Sequence, residues 1–170
     1  KRDIIPSPIL LNNIDIIEYL CGISERNNYK FIVKIHPNDE TAINEIANNK
    51  RLESYIKKEV LFPLRKCDFH ELIRFSDLCI THVSQSSYSI LLEDKPLIQL
   101  GKTQITDKGC CYEINALKEL EQTVMTALRH GRTESQKRHL IALTSALLEN
   151  HYFYNGDVLK SDTENINEAY

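Results

Sequence analysis

The sequence predicts an α/β protein built on a doubly wound parallel sheet of the Rossmann-like type. Short apolar runs rich in β-branched residues recur along the chain, as in Phe31–Ile35, Leu78–Ile80 and Leu97–Leu100. Uninterrupted apolar runs of this kind are typical of strands that are covered on both faces of a parallel sheet. Amphipathic helical patterns separate the runs, and the connections are short. Alternation of strand and helix with short connections indicates parallel strands joined by helical crossovers.

Turn residues bound each predicted strand. The first strand ends at His36 and Pro37, since proline has no N–H to continue a ladder. Ser76 and Asp77 precede the third strand, and the turn Asp94–Pro96 precedes the fourth. The predicted strands are Tyr29–Ile35, a weak Val60–Pro63, Leu78–His82 and Leu97–Leu100.

Apolar residues at three- and four-residue spacing predict the helices. Asn, Asp or Thr stands at the start of several of these patterns, where a side-chain oxygen can accept from a free backbone N–H. The predicted caps are Asn12 or Asn13, Asn38 or Asp39, Asp68, and Thr133. The predicted helices are 8–27, 38–49, 51–58, 69–75, 84–93, 114–130 and 133–150, and 101–109 is expected to be a polar loop.

The length of 170 residues suits one domain with its own core. We expect this domain to span 1–156, followed by a polar, acidic and disordered tail at 157–170. The chain begins at Lys1 rather than at a methionine, and we expect it to be a fragment of a longer protein.

Composition excludes several classes of function. A net charge of −3 with scattered basic residues argues against a nucleic-acid partner. No apolar run approaches the roughly 20 residues of a membrane helix, so no transmembrane segment is predicted. Five cysteines without C-x-x-C spacing favour a reducing, cytoplasmic location. We expect each cysteine to be a small buried apolar residue. We expect no metal and no cofactor, because His, Cys and carboxylates lack ligand spacing and no glycine-rich phosphate loop occurs.

The pair His36-Pro37 at the end of the first strand is a candidate anion site. Proline forces the preceding residue into extended geometry, which holds His36 at the strand tip. Lys34, two residues earlier, points to the same face of the strand. Taken alone, His36 is better explained as a surface histidine in a turn. The ammonium of Lys34 on the same face favours a phosphate site instead.

A serine cluster at the end of the third strand is the second candidate. Ser84, Ser86 and Ser87, with Gln85 between them, lie where the strand passes into a helix. Hydroxyls and free amides at such a junction can share one anion. Simple helix capping by a serine is the alternative explanation, and the sequence leaves both open.

These motifs together resemble a known family. A strand ending Lys-x-His-Pro, then a strand entering a Ser-Ser helix that closes with Leu91–Pro96, is similar to the C-terminal nucleotide-binding domain of GT-B glycosyltransferases. The nearest groups are the Kdo-transferring capsule polysaccharide enzymes and the bacterial sialyltransferases. The CDP-glycerol glycerophosphotransferases share the layout. The resemblance covers roughly residues 29–130.

The resemblance implies the donor-binding half of a transferase that uses a CMP-activated sugar, of the Kdo or sialic acid type, in bacterial surface polysaccharide synthesis. His36 would be the catalytic residue, stabilising charge on the departing phosphate. The implied nucleotide-binding residues are Lys34 (our own addition), His36, Pro37, Ser84, Gln85, Ser86 and Ser87. The saccharide or glycolipid acceptor and the base would belong to an N-terminal domain outside this chain, so the fragment alone is expected to be inactive. Peripheral association with the inner face of the membrane would also come from that domain or from a partner.

This chain departs from the family pattern at two positions. Ser89 stands where many GT-B domains place a ribose-binding Glu, and Gln85 stands where the glycerophosphotransferases have a serine. Two alternatives therefore stay open: transfer of glycerol phosphate from CDP-glycerol, and a nucleotide-binding module without catalysis.

Overall fold

The computed structural model describes residues 12–36 and 40–149, where helices surround two small parallel sheets. In the first sheet β1 (Phe31–Lys34) pairs with β2 (Leu61–Leu64). In the second, β4 (Leu97–Gln99) lies between β3 (Cys79–Thr81) and β5 (Tyr112–Glu113). Every pairing is parallel. The predicted α/β class with parallel strands is therefore confirmed, with the strands divided between two hydrogen-bonded sheets.

A helix lies in each of the predicted stretches. The predicted helix 69–75 has the observed bounds, and the predicted helices 51–58 and 84–93 differ from the observed ones by one or two residues at each end. The predicted helix 114–130 is wrong at its start: Ile114 is buried directly after β5, and a 3-10 turn at Leu117–Glu119 comes before the helix begins at Leu120. The Glu119 carboxylate accepts the N–H of Asn115 at 3.0 Å, which holds this turn. The helices are α1 (Asn13–Asn27), α2 (Glu40–Ala47), α3 (Lys50–Lys57), α4 (Phe69–Phe75), α5 (Ser86–Leu92), α6 (Leu120–His130) and α7 (Glu134–Leu147).

Three of the predicted caps are confirmed. Asn12 accepts the N–H of Asp15 at 2.9 Å, and Asp68 accepts that of Glu71 at 2.8 Å. Thr133 forms a reciprocal capping box with the residue three positions on. Asn38 and Asp39, the predicted caps of the second helix, lie outside the described residues.

The short strand β5 was not predicted. It has two residues, Tyr112 and Glu113, which pair with Ile98 and Gln99 of β4. Two residues are too few to show the alternation of apolar and polar residues that predicts a strand. This strand is defined by its pairing with β4. Its place follows the predicted polar loop 101–109 and extends the second sheet by one strand.

Helix α1 gives the two sheets a shared core. Its residues Leu20 and Ile23 are buried in one cluster with Ile98 of β4 and Leu120 of α6. Phe31 of β1 packs against the same cluster. Apolar burial of this kind is the main stabilising term of a domain, so the two sheets are stabilised in part by the same core. The expected tail at 157–170 lies outside the described residues.

Candidate functional site

The carboxyl end of β1 presents a lysine and a histidine. Lys34 is half-buried, and its Nζ donates to the backbone carbonyl oxygens of Ile35 at 2.6 Å and Arg65 at 3.3 Å. Arg65 directly follows β2, so the ammonium group lies across the ends of both strands. His36 is exposed just beyond it. Pro37, the other half of the predicted motif, lies outside the described residues.

The carboxyl end of β3 leads into residues 82–87, which we call the serine turn. The Ser84 hydroxyl oxygen accepts the N–H of Ser86 at 3.1 Å, and the Ser84 carbonyl accepts the N–H of Ser87 at 3.4 Å. Gln85 is exposed and makes no side-chain capping bond to α5. Ser84 therefore shapes the turn, while Gln85 is accessible on its surface and Ser86 is half-buried.

A buried polar network lies beneath the serine turn. The Gln99 amide oxygen is 2.9 Å from the Ser87 hydroxyl and 3.0 Å from the Thr81 hydroxyl. The Gln99 amide nitrogen donates to the His82 carbonyl at 2.6 Å. The Ser87 hydroxyl also lies 2.9 Å from the Ser84 carbonyl. Because a hydroxyl has one proton, Ser87 donates to one of these acceptors at a time.

The ends of β3 and β4 approach closely beside this network. The Gly101 N–H donates to the His82 carbonyl at 2.9 Å. A Cβ at position 101 would lie 2.8 Å from that oxygen and 2.7 Å from Cγ2 of Val83, so glycine is required for the close approach. The serine turn and the loop after β4 are therefore in direct contact at Gly101.

His82 is a half-buried histidine at this junction. Burial lowers its pKa below the ordinary histidine value, because the charged form loses its hydration. Within the described ranges its Nε2 atom is buried and has no hydrogen-bond partner. The ring packs against Gly101 of the loop after β4.

A cleft of about 190 Å³ opens where β4 and β5 end. Lys102, Asp107 and Glu113 contribute charged groups to its lining. Both Glu113 carboxylate oxygens lie 3.1 Å from the N–H of Asp107. Burial raises the pKa of Glu113 above the ordinary value, whereas the hydrogen bond from the Asp107 N–H acts in the opposite direction. The cleft is smaller than the roughly 300 Å³ at which ligand pockets usually begin.

The sequence-predicted residues thus fall into two groups at two strand ends. Lys34 ends β1 and contacts Arg65 just after β2, with His36 two residues further on. The serine turn follows β3, and its residue Ser87 contacts Gln99 of β4. Ser87 is 1% exposed, so a contact between its side chain and a nucleotide would require its hydroxyl to leave the buried network.

Sequence reasoning missed Gln99 and Glu113. Gln99 did carry a signal, since it is a polar residue inside the apolar run Leu97–Leu100, and a buried amide needs partners. Glu113 had none, because its strand was not predicted.

The described part of the chain holds no group of three or more His, Cys, Asp or Glu side chains placed to bind a metal ion. Across residues 12–36 and 40–149, no helix combines the length and the apolar character needed to cross a membrane.

Comparisons of this chain with models of protein families, with curated proteins and with solved structures each found no match.

Proposed function

We propose that this chain is the donor-binding part of a GT-B-type glycosyltransferase that uses a CMP-activated sugar in bacterial surface polysaccharide synthesis. One observation carries the proposal: His36 and the serine turn each follow the carboxyl end of a parallel strand. In open α/β sheets, ligands bind beyond these ends, at the point where strand order reverses.

The finer fold is part of the proposal. We infer that β1 and β3 are neighbours in one doubly wound, Rossmann-like sheet, with strands added outward from each. The support is that β2 pairs with β1 on one side, and β4 and β5 follow β3 on the other. Phe31 of β1 and Ile80 of β3 also pack against the same core cluster. His36 and the serine turn would then flank the reversal point.

The chemistry of the two groups suits a phosphate that leaves with the nucleotide. His36 would donate a hydrogen bond to a phosphate oxygen as charge develops during cleavage of the glycosidic bond. Ser84 and Ser86 would add hydroxyl contacts, and Gln85 would be within reach at the surface of the turn. Lys34 would supply positive charge, with Pro37 holding His36 extended. The acceptor and the base would come from a domain outside this chain.

The setting of the protein is also proposed. The five cysteines are all unpaired, which suits the reducing cytoplasm. Association with the inner face of a membrane would then come from the acceptor-binding domain or a partner.

Titration calorimetry of the 170-residue chain with CMP, CDP, UDP and ADP tests the proposal. We expect a preference for the cytidine nucleotides and a weakening of about tenfold or more in His36→Ala, since a hydrogen bond to a charged group contributes about 1.5–3 kcal/mol. His130→Ala is the matched control, because His130 is also exposed and ends α6 away from the proposed site.

The same titration separates the alternatives. Tighter binding of CDP than of CMP would favour glycerol-phosphate transfer from CDP-glycerol. Cytidine binding that is unchanged in His36→Ala would favour a nucleotide-binding module without catalysis. Failure of the chain to bind any of the four nucleotides would contradict the proposal for this chain.

A further inference from the structure

We propose that Gln99 is a positioning residue for the donor phosphate: it does not touch the ligand, but it fixes the serine turn that does. This inference rests on the proposed function. It assigns a role to a residue in β4, away from the predicted motifs, through the contacts it makes with the turn.

Gln99 contacts both ends of the serine turn. Its amide nitrogen donates to the carbonyl of His82, where the turn begins, at 2.6 Å. Its amide oxygen lies 2.9 Å from the hydroxyl of Ser87, where the turn ends. The Ser87 hydroxyl also lies 2.9 Å from the carbonyl of Ser84. The middle of the serine turn is therefore connected to Gln99 through Ser87. One glutamine thus spans the loop from its first residue to its last.

A third contact keeps the glutamine itself in place. The Thr81 hydroxyl of β3 lies 3.0 Å from the Gln99 amide oxygen and 3.0 Å from the Ser87 hydroxyl. The Gln99 amide oxygen can accept from both the Thr81 and the Ser87 hydroxyls, because it has two lone pairs. The Ser84 carbonyl then accepts the Ser87 N–H at 3.4 Å, and the Gln99 nitrogen donates to the His82 carbonyl. Every polar group of the network then has a partner, and a fully bonded buried network specifies one geometry.

The position of Gln99 argues against a role in stability alone. It is 2% exposed in a run whose other members are Leu97, Ile98 and Leu100, all buried. An apolar side chain would fill this place without the cost of burying an amide. The glutamine is needed because the turn above it has carbonyl and hydroxyl groups that face inward. In this way the half-buried Ser86 and the Ser84 hydroxyl are held at one spacing.

The decisive experiment compares CMP with cytidine, which lacks the phosphate, in the wild-type chain and in Gln99→Met. Titrations followed by NMR chemical shifts measure both affinities, including weak ones. We expect the CMP affinity of Gln99→Met to fall about tenfold, the size expected for the loss of one or two supporting hydrogen bonds, with cytidine affinity unchanged. Ile98→Val is the matched control, because it alters the neighbouring buried residue without a polar contact.

Amide hydrogen exchange in the same samples measures directly how well the backbone of the serine turn is protected. Faster exchange at Ser86 and Ser87 in Gln99→Met than in Ile98→Val supports the positioning role. Unchanged exchange overturns it, whether or not a nucleotide binds. If Gln99→Met does not fold, Thr81→Val removes one partner of Gln99 with a smaller change, and the same two readouts apply.

The two proposals fail in different ways. An unchanged ratio of CMP to cytidine affinity in Gln99→Met would overturn the role of Gln99 and leave the proposed function standing. Equal affinity of the wild-type chain for CMP and cytidine would instead overturn the proposed phosphate site.

Discussion

The two strand ends that carry the candidate site are built differently. At the end of β1, Lys34 donates to two backbone carbonyl oxygens and His36 is exposed beyond it. At the end of β3, the polar side chains of Thr81, Ser87 and Gln99 bond one another in the interior. The first end therefore presents His36 to solvent and bonds Lys34 to the backbone, whereas the second uses most of its polar side chains to hold a loop.

This difference separates two roles for polar residues near a site. An exposed group can be replaced with little cost to folding, so its effect on binding is measured cleanly. A buried group whose partners also lie inside changes stability and binding together, because its loss leaves other groups unsatisfied. We therefore expect substitutions at the two ends to differ strongly in their effect on the free energy of unfolding. Their effects on nucleotide binding should differ less.

The largest expected effect on stability is at the buried end. Ser87→Ala removes a hydroxyl that lies between the Ser84 carbonyl and the Gln99 amide oxygen. We expect a loss of about 1–2 kcal/mol in the free energy of unfolding, because the buried Gln99 oxygen loses one of its two donors. Urea unfolding measures it. Ser89→Ala, a half-buried serine on the same helix, is the control, and equal midpoints for the two variants would contradict the comparison.

A smaller effect is expected from His82, which is half-buried at the same end. Its pKa is lowered by burial, so the unfolded chain takes up a proton before the folded chain does. Stability should therefore fall as the pH drops below about 6.5, the ordinary histidine value. In His82→Phe, urea midpoints measured between pH 7 and pH 5 should fall less steeply than in the wild type. Parallel pH profiles would show that His82 does not contribute.

The smallest effect on stability is expected at the exposed end. Lys34→Met keeps the length of the side chain and removes the ammonium group, which within the described residues donates to two backbone carbonyl oxygens at the strand ends. We expect a change of about 0.5 kcal/mol or less, as for most surface substitutions. The same variant should bind CMP less tightly, since it removes positive charge from the proposed phosphate site. A large loss of stability would show that the lysine holds the two strand ends together.

Local signals in the sequence located the elements well. Side-chain caps at Asn12, Asp68 and Thr133 act within three residues, so the helices that they begin could be predicted from neighbouring residues. Strands β1 to β4 were also predicted, because each lies in a short apolar run. The bounds of the elements were predicted less well than their positions. The predicted helix 114–130 begins at Leu120, after a separate 3-10 turn.

Contacts between distant parts of the chain decided what the sequence could not. Strand β5 exists through its pairing with β4, and two residues have no pattern of their own. Gln99 and Ser87 are twelve positions apart, and only the parallel pairing of β3 with β4 brings the glutamine under the serine turn. The serines were predicted as ligand contacts, whereas the structure buries Ser87 and leaves Gln85 at the surface.

The α/β class, the order of the elements apart from β5 and most helix starts could be predicted from the sequence, because they follow from periodicity and from bonds between near neighbours. Which polar side chains face inward at the strand ends could be seen only in the folded chain. The inward orientation of these side chains depends on the register between strands and on which polar groups still lack a hydrogen-bond partner after packing. Both depend on contacts between distant parts of the chain.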